Sequence, residues 1–112
     1  MAKYLISFPS GVMDVRPDEM EAVGDAARAV ILAAKAAGVY VFGGGIDEDV
    51  PPVRVAADGS VSEGSYPGNR IDGGFTVLEL PDRAAAVDWA RRIATACRCA
   101  QELRVFMYDP IS

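Results

Sequence analysis

Two stretches of this chain repeat their apolar residues at three- and four-residue steps, while its other apolar runs alternate. That mixture restricts the fold to helices packed on a sheet. The first helical stretch opens with Pro17, which a first helical turn tolerates, and with Asp18, Glu19 and Glu21, acids that suit the positive end of a helix dipole. Met20, Val23, Ala27, Val30, Ile31 and Ala34 then form an apolar stripe that Gly38 should end. The second follows Pro81, with Asp82 as its expected N-cap. Ala86, Ala90, Ile93 and Cys97 share one face, flanked by Val87 and Ala94, so this helix should run to Cys97.

The strands are read from alternation and from what interrupts it. Lys3 to Phe8 places Tyr4, Ile6 and Phe8 on one face and stops at Pro9-Ser10-Gly11. Val39 to Phe42 is β-branched and aromatic, and is expected to run into a loop at Gly43-Gly44-Gly45. Val53 to Val55 and Val61 to Glu63 flank Asp58-Gly59, a hairpin signal because a tight turn needs positive φ there. Phe75 to Leu80 alternates again, and Gly73-Gly74 before it reads as a bulge or a close backbone approach. Glu102 to Tyr108 should close the chain as a last strand, with Leu103, Val105 and Met107 on one side.

The resulting order is strand, helix, strand, small hairpin, strand, helix, strand. This is the split β-α-β pattern of an α+β, ferredoxin-like fold (βαββαβ) with a hairpin inserted between its halves. The 112 residues suit a single domain, 1–112. Two helices cover only one face of a four-stranded sheet. The other, carrying some of Tyr4, Tyr40, Phe42, Phe75 and Phe106, therefore needs company, and a homodimer formed face to face would supply it. Trp89, on the second helix, is expected to pack under a loop or at an interface.

Charge and composition remove several function classes. Sixteen acidic residues against 11 basic ones, net −5 and without a basic stripe, repel phosphate backbones and anionic headgroups, so neither nucleic acid nor a membrane is an expected partner. No apolar run reaches the length of a membrane span, the opening residues lack a signal sequence, and a cytoplasmic location is the default expectation. Cys97 and Cys99 are too close in sequence for an ordinary structural disulfide, and with no histidine a zinc site lacks its usual ligands. Gly43-Gly44-Gly45 lacks both the spacing and the following helix of a dinucleotide fingerprint, so close packing at a strand end is the preferred reading and no cofactor is expected.

Three strings carry a resemblance to a known family: Ala37-Gly38-Val39-Tyr40-Val41-Phe42-Gly43-Gly44-Gly45-Ile46, Asp58-Gly59 with Val61-Ser62-Glu63-Gly64-Ser65-Tyr66, and Asp72-Gly73-Gly74-Phe75-Thr76-Val77-Leu78-Glu79. Together with Ala86 to Ala90 and Ile93, they make the chain resemble the YCII-related family, which includes the DGPF proteins. The resemblance implies a dimeric α/β barrel, two ferredoxin-like halves packed sheet to sheet around a cleft. Some relatives are thought to act on small organic molecules through a carboxylate or a His-Asp pair. Here the family's motif aspartate is matched by Glu63, its proline by Ser65 and its phenylalanine by Tyr66. The histidine position is nearest Asp47, so a His-dependent mechanism is excluded.

The candidate site is the segment from Glu63 to Asp72, joined by Arg54 across the hairpin and by Asp47. Glu63 could act as a general base in a partly apolar cleft, Arg70 or Arg54 could fork a substrate carboxylate, and Tyr66 could offer a hydroxyl. Against this stands a polar loop closing a hairpin, with Glu63 and Arg70 as solvated charges. Two functions follow. One is a homodimeric small-molecule-binding module that has lost the family's acid motif and histidine. The alternative is an enzyme of lyase or isomerase type using Glu63 with Arg70 and Tyr66.

Overall fold

A computed structural model describes residues 1–112. Strand β1 (Ala2–Phe8) opens the chain, and a short 3-10 turn (Pro17–Glu19) leads into α1 (Met20–Ala36). There follow β2 (Tyr40–Gly45), the hairpin strands β3 (Val53–Val55) and β4 (Val61–Glu63), β5 (Gly74–Leu80), α2 (Arg83–Cys97) and β6 (Glu102–Val105). Four strands form one sheet in the order β2-β5-β1-β6, each neighbouring pair antiparallel. β3 and β4 make a separate two-stranded sheet. This is a mixed α+β domain of two helices and an antiparallel sheet, compatible with a ferredoxin-like fold. No helix is long and apolar enough to cross a membrane.

The helix ends follow the local chemistry. Gly38 takes φ +75° just past α1, and its amide donates to the Lys35 carbonyl at 3.0 Å, satisfying a terminal acceptor. Asp82 caps α2 by accepting a hydrogen bond from the Ala85 amide at 2.8 Å. Arg98 ends α2 with φ +57° and pairs through its guanidinium with Glu19, tying the end of α2 to the start of α1.

The core lies between the helices and one face of the sheet. Tyr4 and Ile6 of β1, Leu78 and Leu80 of β5, and Ala86, Ala90 and Ile93 of α2 meet there with Ala34 of α1. The helices contribute Ala34, Ala86 and Ala90 together with the larger Trp89 and Ile93, so small and large side chains interleave with Tyr4, Ile6, Leu78 and Leu80 of the strands. Ile6 and Leu78 are 1% and 0% exposed, and each contributes about 1.5–3 kcal/mol by leaving water.

Several expectations need correction. Of the aromatics of which some were expected on the uncovered face, Phe42 and Phe75 lie there, whereas Tyr4 belongs to the core and Tyr40 packs against it. Gly43-Gly44-Gly45 is not a loop but the outer half of β2, paired with Thr76, Phe75 and Gly74. Close packing does hold there, since a Cβ on Gly43 would lie 3.3 Å from the Phe75 carbonyl oxygen. The last strand ends at Val105 instead of Tyr108. The Phe106 amide still donates to the Lys3 carbonyl, but the chain beyond it leaves the ladder. Trp89 is a core residue, 8% exposed, with the Arg92 guanidinium 4.3 Å from its ring centre. Met20, expected on the buried stripe, is half-exposed.

The register of β2 shifts by one residue between Tyr40 and Phe42, so Val41 is a bulge. Tyr40 pairs with Leu78 on the helix side, whereas Phe42 pairs with Val77 on the open side. That open side carries Lys3, Leu5 and Ser7 of β1, Phe75, Val77 and Glu79 of β5, and Glu102 and Arg104 of β6. No helix covers it.

Candidate functional site

The chain returns from the hairpin to the sheet through residues 69–73, and Gly73 determines where it lands. Gly73 has φ +76°, and a Cβ there would collide with the Phe8 carbonyl oxygen and lie 2.8 Å from the Pro9 carbonyl carbon. Only glycine permits this approach to the end of β1. It brings Asp72 beside Ser10, 62 residues away in sequence, whose amide donates to Asp72 Oδ1 at 2.9 Å. Asp72 Oδ2 accepts from Arg70 Nε at 2.6 Å, and Arg70 Nη2 donates to the Ser10 carbonyl at 2.9 Å. Arg70, Asp72 and the Ser10 backbone thus close a three-bond bracket. The Arg70 hydrogen bond, helped by the Ser10 amide, holds the Asp72 carboxyl below its ordinary pKa.

The bracket forms the rim of a cavity of about 280 Å³ at one end of the open sheet face. Leu5, Ser7 and Phe75 form its floor, and Glu102 and Arg104 its β6 side. Arg104 Nη1 reaches Glu102 Oε1 only at 3.5 Å, with both side chains more than half exposed, so this pair is loose. Ser7 is 6% exposed, between its cross-strand neighbours Phe75 and Glu102. Its hydroxyl makes no hydrogen bond within the chain, yet no fully buried side-chain polar atom lacks a partner, so that hydroxyl opens to the cavity.

A second cavity, about 420 Å³, lies at the opposite end of the same face. Val77, Lys3 and Glu79 form its sheet side, and residues 106–109 wall it. Lys3 and Glu79 stand 4.0 Å apart there.

The expected site residues divide into three places. Arg70 and Asp72 are joined in the bracket. Arg54 and Tyr66 meet on the hairpin, the guanidinium 5.7 Å from the ring centre, a cation–π contact on an exposed surface. Glu63 is exposed on β4 opposite Val53, forms no ion pair, and lines neither cavity. Asp47 accepts a hydrogen bond from the Asp49 amide at 3.0 Å and so shapes its own turn.

Ser7, Ser10, Glu102 and Arg104 were not singled out by the sequence reading. Glu102 and Arg104 carried a signal: two residues apart on a strand whose Leu103 points inward, they must share the outward face. Ser7 breaks an apolar run between Ile6 and Phe8. Nothing in the sequence links either position to residues 69–72. No group of three or more Cys, Asp or Glu side chains is placed to hold a metal ion. No protein-family model matches the chain, and no curated protein does.

Proposed function

We propose that the chain is a small-molecule-binding module that pairs with a second copy through its open sheet face and holds its ligand in the cavity beside the Arg70–Asp72 bracket. The observation that carries this reading is the conjunction at that cavity of an anchored guanidinium and a serine hydroxyl that opens to it. Arg70, though 63% exposed, is held by both Asp72 and Ser10, and Ser7 is otherwise nearly buried. The strand order β2-β5-β1-β6 supports the ferredoxin-like assignment, and with it a dimeric α/β barrel of YCII-related type. Val77 and Phe42, the latter 64% exposed, lie on the open face outside the Arg70 cavity and support the self-pairing.

The enzymatic alternative has less support. Its general base, Glu63, lies on the exposed hairpin, away from Arg70's partners and outside both cavities. A thermal-shift screen of small carboxylates and phenols against wild type and Arg70→Ala tests the binding site, and equal responses from both proteins would refute it. For the pairing, light scattering in dilute buffer is decisive: the mass of two chains is expected, and that of one chain would end the proposal.

A further inference from the structure

The binding reading leaves the chemistry of the ligand open, and Arg70 narrows it. A guanidinium is planar, with Nε and one terminal nitrogen along one edge and the two terminal nitrogens along its end. Arg70 spends the first edge on Asp72 and Ser10, through Nε and Nη2. Its Nη1 makes no hydrogen bond and no ion pair, and Nη2 commits only one of its two N–H groups to Ser10, so each terminal nitrogen keeps an N–H to donate. The geometry points to Arg70 as a pre-oriented receptor for the carboxylate of a compact monocarboxylic acid with a short apolar body. In this arrangement Asp72 is a positioning residue and the Ser7 hydroxyl is a second donor to the ligand. This assignment rests on the proposed binding site and adds to it the class of molecule bound.

Three observations select that class. A carboxylate offers two coplanar oxygens that match two parallel N–H groups, and such charge-assisted pairs are the stronger kind. The charged residues lining the cavity are Arg70 and Arg104 against Asp72 and Glu102, which sum to zero, and Glu48 adds a further negative charge near Arg70. A monoanion can displace the loose Glu102 from Arg104, whereas a dianion such as phosphate meets two carboxylates with no cationic excess. The floor of Leu5 and Phe75, with Ile71 and Phe8 nearby, suits an apolar body rather than a second charge. A volume near the bottom of the range for ligand sites admits a molecule the size of one aromatic ring with its acid group.

Pre-orientation gives Asp72 a role distinct from contact. With its carboxylate on Nε, the guanidinium plane is fixed before the ligand arrives, so binding does not have to immobilise a long flexible side chain. Loss of the Asp72 hold on Nε therefore weakens recognition through positioning, against the gain an anion has from removal of one nearby negative charge.

The test uses the full chain, with benzoate, its neutral isostere benzamide and inorganic phosphate as probes, followed by titration calorimetry and by amide NMR shifts of Ser7, Phe75 and Arg104. Benzoate should shift those resonances, and benzamide should bind about tenfold or more weakly for want of a charge-assisted pair. Phosphate should be weaker than benzoate. Arg70→Lys, which keeps the charge and removes the fork, should cost benzoate about tenfold with benzamide unmoved, and Asp72→Asn should cost benzoate about threefold even though it removes a nearby negative charge. Amide spectra of each variant establish that it is folded. Equal binding of benzoate and benzamide by wild type, undiminished benzoate binding by Arg70→Lys, or phosphate binding tighter than benzoate would overturn the carboxylate assignment but leave the binding site standing. If none of the three probes moves those resonances in the wild type, the site and the assignment fail together.

Discussion

The two sheets of this molecule use similar residues and meet different fates. In the four-stranded sheet, alternation delivers Tyr4, Ile6, Leu78 and Leu80 to a face that α1 and α2 cover, and these residues are 0–7% exposed. In the hairpin, alternation of the same quality delivers Val53, Val55 and Val61 to nothing, and they stand 54–67% exposed. The valines of the hairpin suit a strand, yet within one chain they bury less than half of their surface. Local pattern decides that a segment is a strand, while stability comes from what covers it. The hairpin is held by its turn, with Gly59 at φ +87° and the Ala56 amide bonded to the Ser60 carbonyl at 2.8 Å, rather than by a core.

Substitutions can break this contrast. Leu78→Ala removes a fully buried side chain from the covered face and should cost about 2–5 kcal/mol in urea unfolding, the largest effect expected here. Gly73→Ala attacks the joint between the two sheets. The left-handed backbone alone costs an L-residue about 1–2 kcal/mol, and the collision with Phe8 adds to that, so a clear drop in Tm should accompany loss of the Ser10–Asp72 bond.

Asp72→Asn sharpens the contrast through pH. The Asp72 carboxyl titrates below its ordinary 3.8 in the folded chain because Arg70 and the Ser10 amide favour its charged form. Its stabilising contribution is therefore present above that ordinary value and lost as pH falls through the lower folded value. Wild type should be the more stable protein at pH 7, and the difference in Tm should shrink as the pH is taken below the ordinary carboxyl range. A difference that does not change with pH would mean the bracket acts through shape alone. Val55→Thr, on the exposed hairpin, should change stability by less than about 0.5 kcal/mol in dilute solution. A loss several times larger would show that a second chain covers that valine.

What could be read from the sequence follows the same division. Asp58-Gly59 announced the hairpin and Asp82 the second helix because turns and caps are local chemistry, settled within four residues. The helix-side placement of Tyr4 and Tyr40 was not local. Tyr4 sits in the core with Ala34, Ala86 and Ala90, and Tyr40 packs against it. The strand character of Gly43-Gly44-Gly45 was hidden because residues without side chains show no alternation. At the candidate site, Arg70 and Asp72 were legible as an acid and a base two residues apart. Ser10 and Ser7 were not, since their proximity depends on Gly73 lying against β1, a contact between distant parts of the chain.

The bulge at Val41 has a consequence for how firmly the edge of the sheet is set. Elsewhere in the sheet a slip by one residue would turn a row of side chains inside out, and the core would forbid it. Beyond Val41, β2 carries one side chain, Phe42, and then three glycines that have no inside or outside to confuse. Sliding that half of the edge strand by one position would offend hydrogen-bond geometry and move a single ring from one side of the sheet to the other. The outer half of β2 is thus a segment whose alignment is carried by main-chain bonds alone, and Phe42 is the one marker that would report its movement.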